Sequence, residues 1–166
     1  MSLEAIFARR SIRKYAGGTV SREELAKLLE AGMAAPSSMD RKPWHFVVIQ
    51  DRSVLKRLAD AHPHGKMLTE AAAAIAVCGD TEIAPDFWIQ DCAAATENIL
   101  IAVAALGLGA VWLGCHPREE RISAIKAILG IPAHIGVLSL ISIGRPGEKK
   151  EPRTQYDGKR VHNEKW

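Results

Sequence analysis

The sequence predicts a single domain of mixed α and β structure around one sheet, spanning residues 1–166. The length is the first observation, because 166 residues can bury one core but are too few for two ordinary domains. The second is composition: 48% of the residues are hydrophobic and 25% are charged, which is typical of a globular protein. The third is that segments with helical periodicity alternate along the chain with short apolar runs of strand length.

The first half of the chain predicts three helices and two strands. A short helix covers residues 2–10 and is capped by Ser2, and a stronger helix begins at Ser21. Ser21 and Glu24 have the spacing of a capping box, and Pro36 stops this helix. Three further segments follow, which are a strand over residues 45–51, a helix over 52–62 and a buried run over 71–80 that ends in a strand.

The second half predicts a helix over residues 86–107, a strand over 110–114, a helix over 117–130 and a strand over 135–144. The most apolar stretch, residues 99–115, resembles a membrane span, but it is short and contains three glycines. We interpret it as a buried helix that breaks at residues 107–109 and continues as a buried strand. Because no apolar segment typical of a signal peptide is visible near the N-terminus, we expect a cytoplasmic protein.

The tail from about residue 145 is polar and is interrupted by proline and glycine, yet it ends on an aromatic residue. A free tail has no use for apolar side chains such as Tyr156, Val161 and Trp166. We therefore expect the tail to lie along another surface, for instance that of a second subunit.

Charge and reactive side chains exclude several classes of function. The formal net charge of +3 is too small to indicate a general affinity for nucleic acid or for an anionic membrane, so neither is expected as a partner. Cys78, Cys92 and Cys115 form no CxxC pair and lie in apolar stretches, which predicts buried thiols. The histidines show no metal-ligand spacing, and no serine lies in a nucleophile elbow. This pattern favours a bound cofactor that brings its own chemistry.

Positive charge is concentrated in residues 8–15, ARRSIRKY, which we name the cation segment. Its cations and the serine between them are Arg9, Arg10, Ser11, Arg13 and Lys14. One interpretation is a solvated basic face that closes the first helix, because cations are favoured at a helix C-terminus. The other is an anion site, since guanidinium groups and a short hydroxyl match the oxygens of a phosphate. Lys159 and Arg160 could reach the same anion if the tail folds back.

Two further stretches are unusual. In residues 35–46, Pro36, Ser37 and Ser38 would present backbone N–H groups and two hydroxyls in a loop, although serine and proline are also common in ordinary loops. Residues 107–114, GLGAVWLG, lack the glycine spacing of a dinucleotide fingerprint and run from helix to strand, the reverse of the Rossmann order. Their glycines are better explained by a turn, or by a close approach of the backbone to something flat.

Taken in order, these segments resemble the FMN-dependent nitroreductase family in its short form. The resemblance is carried by RRSIRKY, APSSMDRKPWHFVVI, DCAAATENILIAVAALGLGAVWLG, IPAHIGVLSLISIGRP and the basic tail that ends in tryptophan. It implies an α+β fold with a central mixed sheet flanked by helices, and a homodimer with FMN at the subunit interface. It also implies an NAD(P)H-dependent FMN oxidoreductase whose extended C-terminal tail is exchanged between subunits.

The resemblance implies roles for individual residues. The implied ligands of the FMN phosphate are Arg9, Arg10, Ser11 and Arg13. Lys159 and Arg160 of the tail would complete this phosphate site. The residues implied to lie against the flavin are Trp112, Leu113 and Gly114, together with Pro36, Ser37 and Ser38 of the partner subunit.

Three other groups of residues remain open between two interpretations each. Lys66 matches a place where some members have a lysine near the flavin, although a plain surface lysine explains it more simply. Asp40 and Lys42 replace the asparagine and glutamine that the family often has, and they either pair with each other or alter the contacts to the flavin. Phe87 and Trp88, at the head of the long helix, either line the acceptor side or pack in the core.

The implied mechanism is ping-pong hydride transfer, in which NAD(P)H delivers hydride to flavin N5 and an electron-poor acceptor, such as a nitroaromatic or a quinone, then takes its place. No side chain is assigned as catalytic, because solvent can supply the protons. Dehalogenation, ene reduction, flavin fragmentation and a flavin-binding regulator without turnover are alternatives. A nucleic-acid-binding module would use the cation segment and the basic tail, but few aromatic residues are available for stacking.

Overall fold

The structure is a computed structural model that describes residues 3–166, so the predicted cap Ser2 lies outside the described residues. The helices are α1 (Leu3–Ala8), α2 (Arg22–Met33), α3 (Arg52–Ala61), α4 (Trp88–Ala105) and α5 (Glu119–Leu129). The strands are β1 (Trp44–Ile49), β2 (Ala73–Asp80), β3 (Gly109–Gly114) and β4 (Ile135–Gly144). Short 3-10 helices lie at Ser38–Asp40, Lys66–Thr69 and Gly158–Arg160. Every predicted helix and strand is therefore confirmed, with ends that differ by a few residues.

The four strands form one sheet in the order β1-β2-β4-β3, and each neighbouring pair is antiparallel. The prediction of a mixed sheet is wrong for these strands, since the parallel pairing in residues 3–166 is a single bridge between Ser11 and Ala110. The connection from β1 to β2 shows the reason. α3 leaves the end of β1, and residues 62–72 return along it, with Arg52 donating hydrogen bonds to the carbonyls of Thr69 and Ala71. The chain thus re-enters the sheet at the end that it left.

The sheet separates two apolar layers. α2 and α4 pack on one face, where Leu28, Ile99 and Ile141 are fully buried, and α3 and α5 pack on the other. The inner strands β2 and β4 are buried on both faces. The three cysteines are buried and free, as predicted, and burial raises the pKa of each thiol to about 12.

The apolar stretch over residues 99–115 becomes the end of α4, a turn and β3, which confirms the predicted break. Gly107 makes the turn with a φ of +69°, a conformation that favours glycine. Gly109 allows a close approach, because a Cβ atom there would lie 2.8 Å from the Ile12 side chain. Within residues 3–166, none of the helices combines the length and the apolarity that a membrane crossing requires.

The predicted capping box at the start of α2 is present. The Ser21 hydroxyl accepts a hydrogen bond from the Glu24 amide at 3.1 Å, and the Glu24 carboxylate accepts one from the Ser21 amide at 2.8 Å. The Ser21 amide, followed by the Arg145 guanidinium, holds the pKa of Glu24 below its usual range. Two amide groups at the helix start are satisfied in this way.

Replacing Ser21 by alanine is expected to lower the free energy of unfolding by about 1 kcal/mol, because the Glu24 amide loses its acceptor. Chemical denaturation followed by circular dichroism measures this change. Ser123→Ala is the matched control, since Ser123 is exposed within α5 and its loss should change stability by less than about 0.5 kcal/mol. Equal effects of the two substitutions would show that the cap contributes nothing specific.

Candidate functional site

The cation segment leaves α1 as extended chain and joins the edge of the sheet beside β3. Ile12 donates a backbone hydrogen bond to Ala110 at 2.9 Å, and Ala16 donates one to Arg145 at 3.0 Å. The last turn of α1 contains no basic residue. Arg9 directly follows α1 and its amide completes the last turn, whereas Arg13 lies on the extended chain, so helix closure does not explain the whole cluster and the geometry favours the anion-site interpretation.

The cationic side chains of the segment differ in whether they are already bonded to other parts of the chain. Arg9 forms an ion pair with Glu97 of α4, with Nε and Oε1 3.2 Å apart. Arg10 donates to the backbone carbonyl of Glu151. The Arg13 guanidinium makes no hydrogen bond or ion pair with any part of the chain that the structure describes. An exposed guanidinium beside two others is available to a ligand anion.

Glu148 and Lys150 hold the backbone of the cation segment in place. One Glu148 carboxylate oxygen accepts hydrogen bonds from the Arg13 amide at 2.7 Å and the Lys14 amide at 3.3 Å. Lys150 pairs with Glu148 at 3.3 Å and donates to the Ser11 carbonyl at 2.6 Å. The Arg13 amide, followed by Lys150, holds the pKa of Glu148 below its usual range. These bonds engage the backbone and leave the Ser11 hydroxyl and the Arg13 guanidinium free.

Two clefts adjoin the segment. A cleft of about 410 Å³ has cationic residues at its mouth and an apolar wall formed by the end of α4 and the start of β3. Its lining includes Arg9, Arg10, Leu100, Val103, Leu108 and Lys150. A cleft of about 470 Å³ lies between α1, Glu97 and the tail residues 153–156. Such surfaces suit an anion that also carries apolar atoms.

The end of β3 offers space for a ligand at Gly114. Trp112 packs against the apolar layer under α4, and Leu113 is buried in the opposite layer. A Cβ atom added at Gly114 would meet no other heavy atom within 4 Å, and the φ of this residue is not left-handed. The fold of the single chain therefore gives no steric reason for glycine there. The open space matches the expectation that the backbone approaches something flat.

The loop over residues 36–42 is exposed but held in one conformation. The Ser38 amide donates to the buried Asp91 carboxylate at 3.0 Å, and the Ser37 hydroxyl accepts from the Lys42 amide at 3.0 Å. Asp40 and Lys42 form an ion pair at 2.9 Å, so the first of the two interpretations of these residues is confirmed. Met39, Asp40 and Lys42 have φ values of 52°, 54° and 51°, which are unfavourable for residues other than glycine. Strain of this kind occurs most often at functional sites.

The remaining predicted residues are not brought together within one chain. Lys66 is exposed at the start of the Lys66–Thr69 helix. Lys159 and Arg160 lie in the exposed tail, where Arg160 pairs with Asp157 at 3.3 Å. The tail nevertheless passes close to the cation segment, because the Arg153 amide donates to the Phe7 carbonyl at 3.1 Å.

The two aromatic residues at the head of α4 have different environments. Trp88 is only 8% exposed and its indole lies over the backbone of Gly79 and Gly136, with the His116 ring centroid 5.3 Å away. Phe87 is 41% exposed. The structure favours the core interpretation for Trp88 and leaves Phe87 at the surface.

Sequence reasoning missed several residues that organise this region. Glu148 and Lys150 are ordinary in a polar tail, and no pattern marks them as contacts of residues 11–14. His62 is a buried histidine whose ring bonds to the Gly114 carbonyl, as does Arg121 of α5, and no sequence pattern indicates this contact. Among residues 3–166, no group of three or more His, Cys, Asp or Glu side chains is arranged to hold a metal ion.

The chain matches known proteins over almost its whole length. Residues 6–75 and 61–145 match the Nitroreductase family. A protein of Archaeoglobus fulgidus, provisionally named NADH dehydrogenase/NAD(P)H nitroreductase, is 47% identical over 170 residues that cover 99% of this chain and 98% of the relative. The crystal structure of a protein from Parabacteroides distasonis with the same provisional name has a TM-score of 0.96 and 43% identity, covering 99% and 98% of the two chains. A provisionally named nitroreductase from Desulfovibrio desulfuricans, solved in complex with FMN, has a TM-score of 0.85 and 33% identity, covering 99% and 96%.

Proposed function

The chain belongs to the nitroreductase family, and from this premise we propose that it is an FMN-dependent enzyme that oxidises NAD(P)H and reduces electron-poor acceptors such as nitroaromatics and quinones. The observation that carries the proposal lies along β3. At one end of the strand the cation segment is bonded to Ala110, and at the other end Gly114 faces open space. Four residues of strand separate the two points by roughly 13 Å, which is on the scale of an extended FMN molecule.

The residues present fit FMN at both ends of this span. In our proposal, Arg9, Ser11 and Arg13 bind the phosphate, because they offer charged and hydroxyl donors on a backbone that Glu148 and Lys150 hold rigid. Trp112, Leu113 and Gly114 lie beside the ring, where the absent side chain of Gly114 lets a flat group approach the backbone. Arg10 adds positive charge next to the phosphate.

We further propose that the active form is a homodimer whose tails are exchanged. Tyr156 is 82% exposed and Trp166 is fully exposed in the single chain, and covering such large aromatic side chains would be favourable. A second copy would cover them and would bring its own Lys159 and Arg160 to the phosphate and its loop over residues 36–42 to the ring. Sedimentation equilibrium tests this, since removing residues 154–166 should convert a dimer into a monomer. A dimer that persists without the tail would contradict the exchange.

In this proposal the protein side chains bind and orient the cofactor and the substrates. When bound, FMN supplies the group that accepts and donates hydride. The cation segment fixes its anionic end, the strained loop over residues 36–42 limits access of solvent, and the open end of β3 leaves room for NAD(P)H and the acceptor to bind in turn. Solvent provides the protons, so no side chain is needed as an acid.

The first test is the visible absorption spectrum of the purified protein, followed by denaturation and identification of any released chromophore. Release of about one FMN per chain, together with parallel-line kinetics for NAD(P)H and a nitroaromatic, supports the proposed function. A protein that stays colourless after FMN is added, and that oxidises no NAD(P)H, would overturn it.

Replacing Arg13 by alanine is expected to weaken FMN binding by about 2 kcal/mol, roughly 30-fold, because a charged hydrogen bond to the phosphate is lost. Fluorescence titration of the apoprotein with FMN measures the change. Arg57→Ala is the matched control, since Arg57 is an exposed arginine on α3, away from the cation segment. If both variants bind FMN as the parent does, the phosphate is held elsewhere.

A further inference from the structure

The Gly114 carbonyl is bound by side chains from two separate elements. His62, which follows α3, approaches it with Nε2 at 3.0 Å, and Arg121 of α5 donates from Nη1 at 2.9 Å. His62 is only 2% exposed, so its polar atoms have little access to water. The Cys115 amide, in the same peptide group as this carbonyl, donates to Leu138 at 3.0 Å. The peptide that follows Gly114 is therefore held on both sides.

The second nitrogen of His62 identifies the protonation state of the ring. The His64 backbone amide points at His62 Nδ1 at a distance of 3.2 Å. A backbone N–H can only donate, so Nδ1 must be the acceptor and carries no proton. The ring proton then lies on Nε2 and is donated to the Gly114 carbonyl. His62 is accordingly neutral and in its Nε2–H form.

This one buried ring connects Gly114, which the proposed function places beside the flavin, to the turn that leads to Lys66. Through Nε2 it holds Gly114, and through Nδ1 and its own carbonyl, which accepts from the Gly65 amide at 2.8 Å, it holds the turn that leads to Lys66. Glycine loses more backbone freedom on ordering than any other residue. A glycine that faces open space needs hydrogen-bond partners on its peptide groups if its backbone is to keep one position against a ligand.

We propose that His62 is a positioning residue of the flavin site, where its neutral imidazole fixes the Gly114 peptide and the turn over residues 62–66 relative to each other, with Arg121 as the second anchor on Gly114. The inference rests on the proposed function, because the flavin gives this positioning its purpose. His62 itself need not touch the flavin or the substrate. Its contribution is to the geometry of the Gly114 peptide, which does in the proposed complex.

The proposal predicts that the positioning of the Gly114 peptide depends on pH through the protonation of His62. A second proton on His62 would place an N–H on Nδ1 directly against the His64 amide, and the bond to the turn would be lost. The charged or titratable groups that act on His62 are Arg121 from α5 and His64 from the same turn, and both add positive charge. Burial lowers the pKa of His62 from 6.5; the bond to the Gly114 carbonyl opposes this in part, and Arg121 and His64 lower the pKa further. The folded ring therefore stays neutral, and the positioning stays intact, until the pH falls through the lowered value. The stability that this ring contributes is complete above pH 6.5 and declines below it, since the unfolded chain binds the proton more readily.

Two conservative variants separate the two bonds. Glutamine in His62→Gln can still donate to the Gly114 carbonyl but has no acceptor at the position of Nδ1, whereas asparagine in His62→Asn offers that acceptor but is too short to reach Gly114. We expect His62→Asn to weaken FMN binding about tenfold and His62→Gln to weaken it about threefold, because each loses one buried hydrogen bond. FMN affinity of the wild-type protein should fall as the pH drops through the lowered pKa of His62, and both variants should abolish this fall. The control is His134→Gln, an exposed histidine whose replacement should change neither affinity nor pH profile.

A second measurement does not depend on how the variants fold. The ¹⁵N shifts of the wild-type histidine rings should show one ring that is neutral at pH 7 with its proton on Nε2, both with and without FMN. A charged ring, or a proton on Nδ1, would overturn the inference even if FMN binds. Variants that lose thermal stability but bind FMN with the parent's affinity and pH profile would also overturn it, since His62 would then only support the fold. Failure of the wild-type protein to bind FMN counts against the proposed function, whereas the ring measurement still decides the state of His62.

Discussion

Replacing Trp88 by alanine is expected to lower the free energy of unfolding by about 3–5 kcal/mol, the usual cost of removing a large buried aromatic side chain. The indole fills a slot that exists because β2 and β4 carry glycines where they pair, at Gly79 and Gly136. A Cβ atom on Gly136 would lie 2.6 Å from the indole, and one on Gly79 would lie 2.8 Å from it. With alanine at 88 this slot would be left as a cavity, because neither glycine has a side chain that could fill it.

Urea denaturation followed by far-UV circular dichroism measures the loss. The neighbouring aromatic provides the control, because Phe87 lies at the surface and is far more exposed than Trp88, so Phe87→Ala should cost less than about 1 kcal/mol. A double-mutant cycle with Gly136→Ala tests the contact itself. That substitution should cost about 1–3 kcal/mol in the parent by overpacking, and clearly less when Trp88 is already alanine. Additive effects would mean that the indole and the glycine do not share the slot.

Replacing Gly114 by alanine is expected to leave the fold stable and to lower NAD(P)H-dependent turnover by about 100-fold, the scale of effect of a 1 Å displacement of reacting groups. The added methyl group meets no atom of the chain within 4 Å, so folding should tolerate it. In the proposed complex, however, the methyl group would occupy the space where the flavin ring approaches the strand. The flavin would then bind more weakly or sit displaced from its productive position.

Stopped-flow reduction of the flavin by NADH, measured beside thermal unfolding of the same preparation, separates the two effects. Gly136→Ala should show the opposite pattern, with lowered stability and nearly normal turnover by the molecules that remain folded. If Gly114→Ala keeps the parent's reduction rate, the ring does not lie at the end of β3. If it unfolds as readily as Gly136→Ala, the open space at Gly114 is filled in the folded state by something other than a ligand.

The order and type of the secondary structure elements could be predicted because their signals are local. The capping box at Ser21 and Glu24, the glycines at 107 and 109 and the apolar run over residues 135–144 each act within a few residues. Strand direction could not be predicted in the same way. Whether β2 runs parallel or antiparallel to β1 depends on the path of residues 62–72, which return along α3 because of contacts that no local pattern encodes.

The candidate site also contains residues that could be predicted from the sequence and residues that could not. Its cations were visible because Arg9, Arg10 and Arg13 are adjacent in the chain, and Gly114 was visible as part of an unusual glycine pattern. The groups that hold them were not, since Glu148 lies 135 residues from Arg13 and His62 lies 52 residues from Gly114. A single carboxylate or imidazole has no signature until the partner that it bonds is known.

Residue types and their spacing were therefore enough to predict the family, the alternation of helices and strands, the buried thiols and the concentration of charge at residues 8–15. These properties follow from residue type and from spacing along the chain, which folding does not change. The folded structure was needed to show that the sheet is antiparallel, that Trp88 belongs to the core, that Asp40 pairs with Lys42, and that His62 is bonded to Gly114. Most of these depend on distances between residues far apart in sequence, and the Asp40–Lys42 pair depends on the left-handed backbone of its loop. Such distances arise when apolar burial brings separate segments together and their buried polar groups must find partners.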